Sequence, residues 1–439
     1  MTVSTSRARP VADGPGEPGT AQPGVAQPGT AQPGTAQPGV GRSRRHDAGF
    51  WLIAIAFLIA MAFSTVPAPL YPLYQQRDHF SAFTVTIVFA VYAVGVVASL
   101  LLVGHVSDWV GRKHILIPAL GLEVLAAVLF LVWPALPGLI VARLINGLAI
   151  GMITATATAH LHELHTASRP GTGHGRFEVV STAANIGGLG VGTLIAGFLA
   201  QFVTSPLRTP YVVFIVLLLL SIIAVAVAPE TVEQLPNRPR YRPQRISAVH
   251  GDRASFLVAA ATAFTAFAIF GLFTSLAPGF VAGTLHHPSR LLAGIIVFLV
   301  FGAAALAQTA ANRMSLTVRL GLGLLGEAAG LVLLAIGMRD ASLAAFLIGG
   351  ALAGAGAGVL FKSAVGTIVA MAAAEARGEA LAGLFLIAYL GLIVPTLGLG
   401  IATRYTGVTT AMGWFTGVLL VILAATAALA WPARRESRS

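Results

Sequence analysis

Apolar residues fill most of this chain in long unbroken windows, and polar residues gather at the ends of those windows. From residue 50 almost to the end, stretches of about twenty apolar residues recur, the length an α-helix needs to cross a hydrocarbon core. The first half predicts helices over 50–74, 82–104, 114–133, 137–160, 177–203 and 211–228. The second half predicts them over 254–280, 291–311, 315–337, 343–365, 380–402 and 410–431. The windows are continuous rather than alternating, which selects helices over barrel strands. The expected fold class is an all-α membrane protein of twelve transmembrane helices.

The polar stretches divide this pattern. Residues 1–48 carry the repeat "AQPGVAQPGTAQPGTAQPGV", which offers no apolar face to bury and is expected to be a disordered tail. The first apolar run follows that tail and is too long for the core of a signal peptide, so the first helix is retained. A polar linker over 229–253 separates a first bundle, 49–228, from a second, 254–432, and 433–439 form a short end. The halves echo each other. "RFE" at 176–178 returns as "RGE" at 377–379, "LIPALGL" at 116–122 as "LTVRLGL" at 316–322, and "RLINGLAIG" at 143–151 as "FLIGGALAG" at 346–354. Three near-constant offsets imply an internal duplication, the architecture of a transporter whose halves rock about a central site.

Composition agrees: 56% of residues are apolar and 10% charged, against about 25% charged in a soluble domain. The net charge of +11 does not indicate nucleic acid, because the basic residues sit at helix ends rather than on one face. Arg77, Arg208, Arg290, Arg339 and Arg404 fall on one side, Arg143 and Lys362 fall within spans, and the rest fall on the other side. The positive-inside rule then places both termini in the cytoplasm. High Ala, Gly and Arg usage suits a bacterial inner membrane. No cysteine is present, so thiol chemistry is excluded.

The segment "GHVSDWVGRKHIL", 104–116, interrupts two apolar runs with a short polar turn. Gly104 and Gly111 allow close approach or positive φ, Asp108 can face a helix N-terminus or a guanidinium, and Arg112 and Lys113 hold a helix end at the interface. Gly104, Asp108, Gly111, Arg112 and Lys113 together resemble the loop signature of the major facilitator superfamily, with Trp109 replacing the usual basic residue. The resemblance covers about residues 50–432 and implies two pseudo-symmetric six-helix bundles working by alternating access. It implies that Asp108 meets the start of the eleventh helix near Ala380 to Gly383, and that Arg112 meets Glu163. In the second half Gln308 and Asn312 stand at the Asp108 and Arg112 positions, so that latch has decayed.

Charges inside the membrane are costly and therefore informative. Arg143, Asn146, Gly147 and Gly151 resemble the family's fourth-helix signature, whose Arg takes part in proton coupling in some members; a non-titrating Arg that caps carbonyls is the alternative. Glu123 and Glu327 fall near the midplane by their distance from helix ends. A carboxyl there favours its protonated form and gives the proton up on meeting water, as a proton carrier must; a hydrogen-bonded packing role is the alternative. Gly188, Gly192 and Gly197 fit the family's fifth-helix antiporter signature, although Thr193 stands where Pro is expected and Ala196 where Gly is; their expected role is close packing. Arg176 with Glu178 and Arg377 with Glu379 open the fifth and eleventh helices, either as gate pairs or as helix-start charges.

By resemblance to the helices that line the family's cavity, Tyr71, Tyr92, Asn185, Phe270, Gln308 and Tyr389 are substrate candidates. An aromatic, sparsely charged cavity favours a lipophilic, neutral-to-cationic solute. "HLHELH" at 160–165 has metal-ligand residue types but sits where a helix emerges from the membrane, so no metal is expected. There is no phosphate-cradling loop, no Ser, His and acid set, and no cofactor motif. The expectation is a monomeric transporter, not an enzyme, whose partners are a small molecule, protons and the bilayer. Proton-coupled efflux is the leading expectation, with uptake by symport or facilitated diffusion as the alternative.

Overall fold

The computed structural model describes residues 40–103, 106–232, 252–373 and 376–430. Gly104 and the bulk of the linker lie outside the described residues. The described chain is helical, with twelve helices long and apolar enough to span a membrane. In the first half these are α1 (Val40–Thr65), α2 (Ala82–Val103), α3 (Arg112–Val132), α4 (Leu136–Ser168), α5 (Gly175–Phe202) and α6 (Thr209–Val227). The second half supplies α7 (Arg253–Ser275), α8 (Arg290–Ala310), α9 (Leu316–Arg339), α10 (Leu343–Met371), α11 (Arg377–Tyr405) and α12 (Val408–Ala430). Twelve crossings leave Val40 and Ala430 on one side, called here the near side.

Several boundaries differ from expectation: α4 and α10 run on to Ser168 and Met371, and the breaks in α1 and α7 and the start of α1 depart from the apolar windows. Helix α1 begins at Val40, so the tail boundary expected at residue 48 falls inside a helix. Hydropathy cannot see this polar first stretch. It is held by charge, since Asp47 pairs with Arg176 at 2.8 Å and with Arg169 at 3.7 Å. At the far end α1 stops at Thr65 because Pro67 supplies no N–H to continue it, and a short turn over Ala68–Leu70 leads into a separate helix, Tyr71–Asp78. Helix α7 breaks at the matching place, ending at Ser275 before a short helix over Ala277–Gly283 with Pro278 in its first turn.

Each half packs its helices through small residues. A side chain on Gly147 of α4 would collide with the Tyr92 carbonyl of α2, and one on Gly151 would meet the Val96 carbonyl. Gly188 and Gly192 bring α5 against α1 in the same way, at Leu58 and Ala62. Without a hydrophobic drive between helices in lipid, close backbone approach is the main source of association. Large apolar side chains such as Leu306, Leu325 and Val421 point outward, where the hydrocarbon would be.

The halves meet through α5 with α8 and α2 with α11. Gly197 of α5 lies against Gly294 and the Arg290 carbonyl of α8, and Thr193 Oγ1 donates to the Gly294 carbonyl at 3.2 Å. Arg290 donates through Nη1 to the Ala200 carbonyl at 2.9 Å, and Arg404 of α11 stacks over Phe83 of α2 at 4.4 Å. These contacts gather at the ends of the helices remote from the near side, while Glu178 and Lys362 pair across the halves nearer the other end at 3.8 Å.

Candidate functional site

Helix α4 places Arg143 and Asn146 one turn apart on its inner face, opposite the break that ends α1. Arg143 is 1% exposed, and among the described residues its guanidinium forms no ion pair with a carboxylate. Instead Nη1 donates to the Ser64 carbonyl at 2.7 Å and Nη2 to Tyr71 Oη at 2.7 Å. Ser64 lies in the last turn of α1, where carbonyls lose their helical donors, so a buried cation is a fitting cap. Arg143 also lies 5.0 Å from the centre of the Tyr92 ring, a cation–π contact in a dry setting.

Asn146 extends the network. Its Oδ1 accepts from Arg143 Nη1 at 3.2 Å and its Nδ2 donates to Glu123 Oε2 of α3 at 2.7 Å. Glu123 is fully buried, and its second oxygen, Oε1, has no hydrogen-bond partner among the described residues. A carboxyl on α3 is thus tied through one amide and one guanidinium to the break in α1 and to Tyr71 beyond it. Three hydrogen bonds connect Glu123 to the last turn of α1.

Glu327 of α9 is also fully buried, with Thr265 of α7 as its polar neighbour and no hydrogen bond of good geometry among the described residues, and it packs where Gly356 lets α10 approach closely. It stands apart from Glu123 and has no guanidinium beside it.

The near-side turn forms a second cluster. Gly111 takes φ 111°, a conformation that favours glycine, and this lets the turn lead directly into α3. Arg112 donates to Glu163 of α4 at 2.6 Å, to Asp108 at 2.5 Å and to Ser107 at 2.7 Å. Among the described residues Asp108 bonds Arg112 and is largely exposed; it does not reach across to Ala380–Gly383. Lys113 reaches the Ala226 carbonyl at 2.6 Å.

Sequence reasoning missed Glu230, just after α6. Its two oxygens accept from the backbone N–H groups of Arg112 at 3.1 Å and Lys113 at 3.0 Å, capping α3 from another part of the chain. Partial burial opposes ionisation of Glu230, but the amides of Lys113, Thr231, Arg112 and Val232 outweigh it and hold the carboxyl below its ordinary range. Thr231 donates to Glu163 at 2.5 Å, closing a loop from α3 to α4 to the linker. The lone acid of "PET" at 229–231, directly after the sixth apolar run, was the available signal.

The remaining candidates separate by position. Tyr71 is buried as a partner of Arg143, Phe270 is stacked on Phe301 at 5.0 Å, and Gln308 is buried, so none of these three lies open to a cavity. Tyr389 is half-buried and meets Phe267 edge-on at 5.3 Å. Asn185 is half-buried in an irregular turn of α5. Arg176 turns to Asp47 and the Phe50 ring, while Glu178 reaches Lys362 of α10 at 3.8 Å, an ion pair between the halves. Lys362 also bonds Asn312. His160 and His165 bond the carbonyls of Pro229 and Gly173, and among the described residues no cluster suits a metal ion.

Residues 53–323 match the family model described as Major Facilitator Superfamily. No curated protein matches the chain in sequence. Among solved structures, the human organic anion transporter MFSD10 (TETRAN) is similar with a TM-score of 0.62 and 16% identity, over 87% of this chain and 99% of that one. A point mutant of the nucleoside transporter NupG is similar with a TM-score of 0.64 and 14% identity, again over 87% of this chain and 99% of that one. At such identities the likeness is one of fold.

Proposed function

Since the chain belongs to the major facilitator superfamily and is a multi-pass membrane transporter, we propose that it exports small lipophilic molecules in exchange for protons. The observation that carries this reading is the chain of bonds from Glu123 through Asn146 and Arg143 to the Ser64 carbonyl. Burial of a carboxylate with no ion pair of its own is expensive, so in this reading Glu123 enters its dry site protonated. When water reaches the site the proton leaves, and the new negative charge pulls on Asn146 and Arg143. Arg143 then loosens its hold on the end of α1, and the hinge that separates α1 from Tyr71–Asp78 is freed to move. Glu327 serves the second half as a further proton site. A solute that competes for the hydrated state couples its own passage to that proton.

The positive-inside pattern supports near-side termini in the cytoplasm, and the high Ala, Gly and Arg usage supports a bacterial inner membrane. All twelve helices find partners within one chain, which suits a monomer. Uptake by symport or facilitated diffusion is the second reading. It is favoured by Thr193, which stands where antiporters of the family carry Pro and bonds across to α8.

The test is intravesicular pH in proteoliposomes of the purified protein while lipophilic cations, neutral drugs and small organic acids are added in turn. Exchange predicts proton movement driven by the first two classes. Solute flux with no proton movement would replace exchange with facilitated diffusion.

A further inference from the structure

Helix α5 is not regular. Between two α-helical segments, Gly175–Thr182 and Gly188–Phe202, it makes a π-helical turn over Ala183–Gly187. Such widened turns insert one extra residue, weaken local hydrogen bonding and concentrate at functional sites. This one packs against both α1 and α8, which places it on the inner seam between the halves. Its central residue is Asn185, ten residues into α5 from Gly175 and so about 15 Å along the helix, deep in the membrane.

Asn185 is half-buried, and among the described residues its carboxamide makes no hydrogen bond. An amide left unbonded in hydrocarbon costs on the order of 2 kcal/mol or more, so a residue at this depth faces water or a solute rather than lipid. The repeat that relates "RFE" to "RGE" puts Leu386 of α11 at the matching position, and α11 is an uninterrupted α-helix there. Leu386 lies between Phe385 and Tyr389. Those rings continue onto α10 and α7: Phe361 lies 5.9 Å from Phe385 and 5.0 Å from Phe267, which meets Tyr389 at 5.3 Å. All four rings are half-buried. Of the charged groups near this depth, Glu123 and Glu327 are fully buried, and Lys362, next to Phe361, is partly exposed but already partnered by Glu178 at 3.8 Å and by Asn312, so none offers a free charge to a solute.

From this asymmetry we infer that the π turn holds Asn185 as the hydrogen-bonding specificity residue of the central cavity, for a neutral aromatic solute that carries one amide-like group and lies against the Phe267, Phe361, Phe385 and Tyr389 wall. The carboxamide offers one acceptor and two donors, which match an amide and fit an ester poorly. The inference rests on the transporter reading but not on proton coupling, because it is tested by binding at equilibrium without a gradient.

The experiment titrates full-length protein in nanodiscs with two fluorescent probes of one shape, naphthamide and methyl naphthoate. Wild type is expected to prefer the amide roughly tenfold. Asn185→Leu should abolish that preference while retaining ester binding, and Asn185→Ala should do the same if the Leu variant fails to fold. Phe361→Ala should weaken both probes alike. Equal binding of the two probes to wild type, an unchanged preference in both Asn185 variants, or binding of neither probe would each overturn the assignment. Failure of proton movement in vesicles with the amide preference intact would remove exchange and leave the site.

Discussion

The two halves descend from one pattern, yet they differ where it matters. By the offsets of the repeat, Arg143, Asn146 and Glu123 of the first half correspond to Phe346, Gly349 and Gly323 of the second. In the first half these positions form a buried polar network that grips the end of α1. In the second, Phe346 packs on Phe273 at 5.7 Å, and Gly349 and Gly323 let α9 and α10 close on Leu334 and Leu360. The near-side latch divides the same way, with Arg112 and its carboxylates on one side and Asn312 with Lys362 on the other. At these matched positions one half carries a polar network and the other carries packing, although the second half keeps its own buried carboxyl at Glu327. A duplicated fold can thus give one copy a mechanism while the other supplies a wall.

Breaking the polar core should have the largest effect. Arg143→Met strips the donors from Tyr71, Ser64 and Asn146 and should cost about 3–5 kcal/mol, with loss of transport. Phe346→Met, at the matching position, should cost less than about 1.5 kcal/mol and keep transport. Thermal unfolding in detergent and vesicle flux measure both. If the two variants are equally stable, the halves do not differ as described.

The latch comes next. Arg112→Ala releases Glu163, Asp108 and Ser107 together and should cost about 1.5–3 kcal/mol in the same unfolding measurement. Glu230→Gln removes a charged cap from α3, a loss of about 1 kcal/mol. Because the folded protein holds the Glu230 carboxyl below its unfolded value, its contribution is complete above the ordinary carboxylate range. It is lost as pH falls through the folded value, so wild type and variant should converge in acid and differ at neutral pH. A difference that grows toward acid would contradict the cap. Smallest of all is Lys362→Ala, which breaks a partly exposed pair 3.8 Å long and should change stability by less than about 1 kcal/mol.

Sequence alone was enough for the twelve spans because a bilayer demands unbroken apolar windows, and that demand leaves little freedom. Arg143, Glu123 and Asn146 were visible as polar residues in costly places. Their bonding was not, because Glu123 and Asn146 are joined across two helices and only packing fixes the register between α3 and α4. The same holds for Glu230, whose partners lie more than a hundred residues away. The start of α1 at Val40 escaped notice because its first turns are polar and are held by Asp47, Arg169 and Arg176 rather than by hydropathy. The π turn at Asn185 has no signature in composition, since Ala, Asn, Ile and Gly fit an α-helix as well.

The central claim is that the first half carries proton coupling through Glu123. Intravesicular pH in proteoliposomes, followed on addition of a lipophilic substrate to wild type, Glu123→Gln and Glu327→Gln, tests it most directly. The account predicts solute-driven proton movement in wild type, its loss in Glu123→Gln despite retained solute binding, and at most a partial reduction in Glu327→Gln. Unchanged proton movement in Glu123→Gln would contradict it.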